Sequence, residues 1–144
     1  MAANTTMIYT KQGQIGGFGI ILTTANTAMD GTGTVGLLFT AGADGARIER
    51  VRVKALGTNV ATVLRIFINN GSDPATAANN RLYTEATIAA TTASNAAALA
   101  LTEFPFATDP TAFPLVLPPS YRIYATIGTT VASGLHVTVV GGTY

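Results

Sequence analysis

The chain is written as short β-prone runs separated by backbone-turning residues, and this punctuation limits its fold more than any other feature. The runs cover residues 18–24, 34–41, 47–56, 60–68, 81–88, 99–106, 121–127 and 134–140. Between them stand Asp30-Gly31-Thr32-Gly33, Asp44-Gly45, Gly57-Thr58-Asn59, Asn70-Gly71 with Asp73-Pro74, and Gly128-Thr129-Thr130. Gly and Asn reach positive φ, while Asp and Asn cap neighbouring amides, so each cluster favours a reversal of the chain. Asp44-Gly45 reads as a tight hairpin. A further short apolar element lies at Leu115-Val116-Leu117, inside a Pro-rich passage. Only residues 89–100 have a helix-favouring composition, and their Thr and Asn content argues against a long helix. About eight antiparallel strands with spaced turns predict an all-β sandwich, for which a jelly roll is the commonest arrangement.

Side-chain alternation assigns faces to the strands. Arg50, Arg52 and Lys54 fall on one side of their run, and Val51, Val53 and Ala55 on the other. Ile48 breaks this parity, which predicts a β-bulge near Glu49. Ile123, Ala125 and Ile127 oppose Arg122, Tyr124 and Thr126, and Leu135, Val137 and Val139 oppose His136, Thr138 and Val140. The run Val63-Leu64-Arg65-Ile66-Phe67-Ile68 is apolar on both sides, so it is expected to be central or to be covered outside by a partner. Residues 1–17 are polar, contain glycine and lack periodicity. They are read as an extended N-terminal arm preceding a single sandwich domain, residues 18–144. The arm is expected to order against a partner, with Ile8 and Tyr9 as its anchors.

Composition narrows the function. Charged residues are 10% of the chain, well below the roughly one quarter of an ordinary soluble domain, which suggests a surface largely covered by neighbouring subunits. A homo-oligomer is therefore expected, a dimer before a trimer. The net charge of +1 provides no field for steering nucleic acid. Cysteine is absent, which removes disulfides and thiolate metal sites. The start of the chain has no basic-then-apolar pattern, so no secretory signal is expected. The longest charge-free stretches, residues 12–29 and 86–102, are rich in Gly, Thr, Asn or Ser, so no membrane span is expected.

No set of residues announces chemistry. Gly31-Thr32-Gly33-Thr34-Val35-Gly36 spells a dinucleotide fingerprint, but a strand-like run follows it where the fingerprint needs a helix. His136 is the only histidine and sits in an alternating strand, where an ordinary position on the polar face is expected. The carboxylates Asp30, Asp44, Glu49, Asp73, Glu85, Glu103 and Asp109 form no close pair in sequence, and the first, second and fourth occupy turn contexts. Arg47, Arg50, Arg52 and Lys54 form the only basic cluster, diluted by Glu49. A solvated or partner-facing sheet is expected there, and Asn4-Thr5-Thr6 and Asn70-Gly71-Ser72 are discounted as glycosylation sites. No enzymatic activity, cofactor or metal is expected.

Residues 48–59, then 61–71, followed by Leu115-Val116-Leu117-Pro118-Pro119, the strands from Tyr121 and Leu135, and the closing Gly141-Gly142-Thr143-Tyr144 carry a resemblance. This pattern resembles the small jelly-roll decoration, or cement, proteins of tailed bacteriophages, over roughly residue 47 to the C-terminus. The resemblance implies a virion protein on the outer capsid surface, made in the host cytoplasm, with the major capsid protein as its partner. It carries no catalytic residues and does not include the segment before Phe18. The partner contacts expected are Ile8, Tyr9, Arg50, Arg52, Lys54, Arg65 and Phe67. The alternative is a carbohydrate- or receptor-binding jelly-roll module of a fibre or other surface assembly. Such modules usually present exposed aromatics, often Trp, and this chain has no Trp.

Overall fold

A computed structural model describes residues 12–15, 19–105 and 114–144. The described residues form ten strands in chain order: β1 (Gln12–Ile15), β2 (Ile20–Leu22), β3 (Gly36–Thr40), β4 (Ala46–Ala55), β5 (Thr62–Asn69), β6 (Asn80–Ile88), β7 (Leu101–Pro105), β8 (Leu115–Leu117), β9 (Arg122–Ile127) and β10 (Leu135–Thr143). The only helical segment among the described residues is the single 3-10 turn Ala77–Asn79. Residues 89–100 form no helix. Their connection is instead tied down by Thr91, whose backbone exchanges hydrogen bonds of 3.0 and 2.9 Å with Asn59.

The strands form two antiparallel sheets. In sheet I, β10 and β4 are central; β1 and β2 lie in line along the outer edge of β10, and β7 and β8 in line along the outer edge of β4. Sheet II has the order β3-β9-β5-β6. Taking each in-line pair as one ribbon, the chain-order numbers across the two sheets are 1-8-3-6 and 2-7-4-5. The chain therefore winds as a long antiparallel ribbon. Successive ribbon pairs, 1 with 8, 2 with 7, 3 with 6 and 4 with 5, fall alternately on sheet I and sheet II.

The core lies between the sheets and is filled from alternate positions. Val51, Val53 and Ala55 of β4 and Leu135, Val137 and Val139 of β10 meet Leu64 and Ile66 of β5 and Ile123, Ala125 and Ile127 of β9. Burying each larger aliphatic side chain stabilises the fold by roughly 1.5–3 kcal/mol before entropy is counted. This fixes the strand faces, because a one-residue slip would turn every apolar side chain outward. The expected bulge is present. Val140 opposes Arg50 and Gly141 opposes Ile48, so Glu49 is the extra residue on β4. Both Glu49 and Arg50 consequently face solvent, and Ile48 returns to the core. The bulged backbone comes so close to Gly141 that a Cβ there would run into the Arg47 carbonyl and the Ile48 Cα.

Two expectations need correction. Asp44-Gly45 does turn the chain, with Gly45 at φ 95° and its N–H donating to the Gly42 carbonyl at 3.1 Å. It does not close a hairpin, because β3 pairs with β9 in sheet II while β4 pairs with β10, β7 and β8 in sheet I. The turn chemistry is local, but the choice of partner belongs to the long-range ladders. The N-terminal segment is not wholly an arm either, since residues 12–15 form an edge strand on β10 of the same chain.

The two-sided apolar strand is covered by its own chain. β5 lies between β9 and β6, and the β2–β3 connection reaches its outer side, with Gly31 beside Phe67 and Asn26 beside Arg65. Gly31 of that connection lies so near Phe67 Cδ1 and Asn80 Cβ that an added Cβ would approach them to 2.9 and 2.8 Å. Buried asparagines hold the crossing in place. Asn26 Nδ2 donates to the carbonyls of Thr32 (2.7 Å) and Thr34 (2.9 Å), and its Oδ1 accepts from the Ala28 amide (2.9 Å). Asn80 Nδ2 donates to the Gly31 carbonyl (3.1 Å) and the Pro74 carbonyl (2.8 Å), while its Oδ1 accepts from Asn69 Nδ2 (2.8 Å). Each buried amide is thus satisfied through the loop it pins.

Candidate functional site: the outer face of sheet I

The bulge and the register of β4 against β10 place the basic cluster on the outer face of sheet I. His136 pairs in register with Ile21 of β2 and Lys54 of β4, and Lys54 pairs with Leu101 of β7, so these four residues form one row across the sheet. The next row holds Thr138, Arg52 and Glu103, and the following one holds Val140 and Arg50. Ile21 (60% exposed) and Leu101 (45%) leave the ends of the first row apolar and open.

A concavity of about 410 Å³ lies on this face, lined by Arg52, Lys54, Leu101, His136, Thr138 and Val140. It combines two permanent cations, an imidazole and a hydroxyl with two aliphatic side chains. Its size suits a small group or a segment of chain rather than a flat contact.

The charges on the face are unevenly paired. Arg47 Nε meets Glu49 Oε1 at 2.7 Å, and the Glu103 carboxylate is shared by Arg52 Nε at 2.8 Å and Arg50 Nη1 at 3.5 Å. These side chains are all roughly half exposed, so each pair contributes about 0–1 kcal/mol to stability. Lys54 makes no ion pair among the described residues. Four cations, Arg47, Arg50, Arg52 and Lys54, thus stand over two carboxylates, and the face is net positive.

The expected contact residues divide into three groups. Arg50, Arg52 and Lys54 are brought together and exposed. Arg65 and Phe67 are not available to a partner: Phe67 is 0% exposed beneath Gly31, and the Arg65 side chain is only 12% exposed. The Arg65 guanidinium faces the Asn26 carbonyl (3.5 Å) and Glu85 (3.4 Å), serving the loop that covers sheet II. Ile8 and Tyr9 lie outside the described residues. His136, Thr138, Val140, Leu101 and Ile21 join the site although none was singled out for it. Alternation put the three β10 side chains on a polar face, but only the β4–β10 register reveals that this face and the basic cluster are the same surface.

The remaining motifs have structural uses. The glycine-rich fingerprint is the crossing loop and leads into β3, with Gly31 against Phe67 and Gly33 against Asn26. Asp30 accepts from the Thr32 amide (3.0 Å) and hydroxyl (2.7 Å), and these bonds hold its carboxyl below the ordinary value. Asp73 accepts from the Ala75 amide at 2.9 Å. No group of three or more His, Asp or Glu among the described residues is placed to hold a metal ion, and no helix among them is long and apolar enough to cross a membrane. No protein-family model matches the chain, and no curated protein or solved structure matches it significantly.

Proposed function

We propose that the protein is a non-enzymatic structural component of a phage virion that binds the outside of the capsid and ties neighbouring major capsid subunits together. The observation that carries this reading is the outer face of sheet I, an open surface of aligned cations and exposed aliphatic side chains on a chain otherwise poor in charge. A site built this way offers recognition through charge and apolar contact. The alternation of ribbon pairs between the sheets supports a sandwich of jelly-roll type. The glycan-binding alternative receives less support, because no Phe, Tyr or Trp is among the described residues that line the concavity.

The mechanism is mechanical. A rigid sandwich seated where capsid subunits meet binds the assembled shell more tightly than the separate subunits, so occupancy stabilises assembly by mass action. Several copies acting together gain through effective concentration, which removes the need for any one strong contact. A homo-oligomer fits this scheme and is supported by the low charge. The two-sided strand β5 no longer argues for it, since the chain's own loop covers that strand.

The test is co-sedimentation with capsid shells lacking the protein. The double substitution Arg52→Glu and Lys54→Glu is expected to weaken binding by about tenfold or more, because reversed charges at a docking face oppose both encounter and retention. Melting of the free protein should remain within a few degrees of wild type, since both side chains are exposed. Shell binding unchanged by the double substitution would refute this face as the attachment surface.

A further inference from the structure

Along β4, Arg50, Arg52 and Lys54 occupy alternate positions on the same face, a repeat of roughly 6.6–6.8 Å. Val140, Thr138 and His136 run beside them in register on β10. The concavity is therefore a shallow trough along β4, with Arg52 and Lys54 in its lining between Leu101 of β7 and the imidazole, hydroxyl and aliphatic side chain of β10, and with Arg50 one repeat further along the strand. An extended polypeptide has the same repeat, so carboxylates at every second residue of such a segment would meet successive cations in step.

We propose that this trough binds an extended acidic segment of a partner protein, with Asp or Glu at alternate positions. It rests on the virion reading only for where such a segment comes from. Lys54, with no ion pair among the described residues, anchors the open end of the trough beside Leu101 and Ile21. Leu101 and Val140 supply apolar surface for the intervening side chains. A second copy using the same face is a poor occupant, because an isologous contact would set one net-positive surface against another. Glu103 acts as an internal competitor. Its carboxylate bridges Arg50 and Arg52, the position an incoming acidic side chain would take.

That competition gives the proposal a test with a distinctive sign. The probe is a fluorescein-labelled Glu-Thr-Glu-Thr-Glu-Thr-Glu peptide, followed by fluorescence anisotropy on the purified full chain at low salt. Lys54→Gln should weaken binding by about fivefold or more, whereas Glu103→Gln should tighten it by about threefold or more, because the substitution releases two cations. Arg81→Gln, on a sheet II strand, should stay within about twofold of wild type, and binding should fall steeply as salt is raised. A control peptide of identical composition with its glutamates contiguous should bind several-fold more weakly. Equal binding of the two peptides, no gain with Glu103→Gln, or binding of sialyllactose in place of the peptide would overturn the proposal. No capsid shell enters this measurement. Loss of the peptide interaction therefore leaves the shell-binding test to be judged by itself, and loss of shell binding leaves this one.

Discussion

Asn26→Ala should loosen the loop that covers sheet II. The wild-type side chain is buried and makes three hydrogen bonds of 2.7, 2.9 and 2.9 Å, two to carbonyls and one from an amide. Alanine can replace none of them and leaves the Ala28 amide and the Thr32 and Thr34 carbonyls to find water or remain unpaired. At about 0.5–1.5 kcal/mol net for each bond, with the upper part of the range applying to a buried site, the loss should be about 2–4 kcal/mol. For a domain of this size that corresponds to a melting decrease of roughly 6–12 °C. The effect should also be local. Phe67 lies directly under the crossing, so amides in β5 and β6 should lose hydrogen-exchange protection before those in sheet I. Asn80 pins the same loop through Gly31, so combining Asn26→Ala with Asn80→Ala should cost less than the sum of the single substitutions. The assay is urea unfolding of the three variants, with hydrogen exchange on the first. A loss below about 1 kcal/mol, or full additivity of the pair, would refute the idea that these asparagines clamp one cooperative cover.

Two further perturbations probe the bulge and the Asp30 turn. Gly141→Ala should destabilise by more than about 2 kcal/mol, because the new methyl meets the backbone of Arg47 and Ile48 rather than a movable side chain; near-wild-type urea unfolding would refute the close approach. Asp30 has its carboxyl held below the ordinary value of 3.8 by the Thr32 hydroxyl and amide, so its stabilising contribution is present above that value and is lost as pH falls through the lower folded one. The melting difference between wild type and Asp30→Ala should therefore be full at neutral pH and narrow in acid, and a difference independent of pH would refute the assignment.

The features that the sequence revealed are those set by local chemistry. Alternation in β4 placed Val51 and Val53 inward and Arg50, Arg52 and Lys54 outward, and the misfit of Ile48 pointed to the bulge, because an extra residue at Glu49 returns Ile48 to the core side. The pairing of strands was not legible. Asp44-Gly45 carries strong hairpin chemistry, yet its flanking strands belong to different sheets, a choice made by ladders whose partners lie far apart in the chain. β1 was missed because Gln12-Gly13-Gln14-Ile15 has neither alternation nor β-branched enrichment to announce it, and its place depends on the free edge of β10. The trough was missed for the same reason: its β4 and β10 residues are more than eighty positions apart in sequence.

Charge depletion also needs a divided explanation. Read alone, a chain with 10% charged residues suggests a subunit covered by neighbours. On β5 of sheet II, the covering is internal. A glycine-rich connection lies over β5 and buries Phe67 and most of Arg65, with carbonyls satisfied by asparagine amides rather than by lysine or arginine. Polar but uncharged residues are suited to that role, since a buried amide can be fully paired at much lower desolvation cost than a buried ion. The outer face of sheet I keeps Arg47, Arg50, Arg52 and Lys54 exposed, four of the chain's eight lysines and arginines. If the depletion merely reflected a Thr-rich β surface, those cations would be expected to scatter among the strands. Their concentration on sheet I, in step along one strand and beside exposed Ile21 and Leu101, supports the proposal that this face meets another molecule.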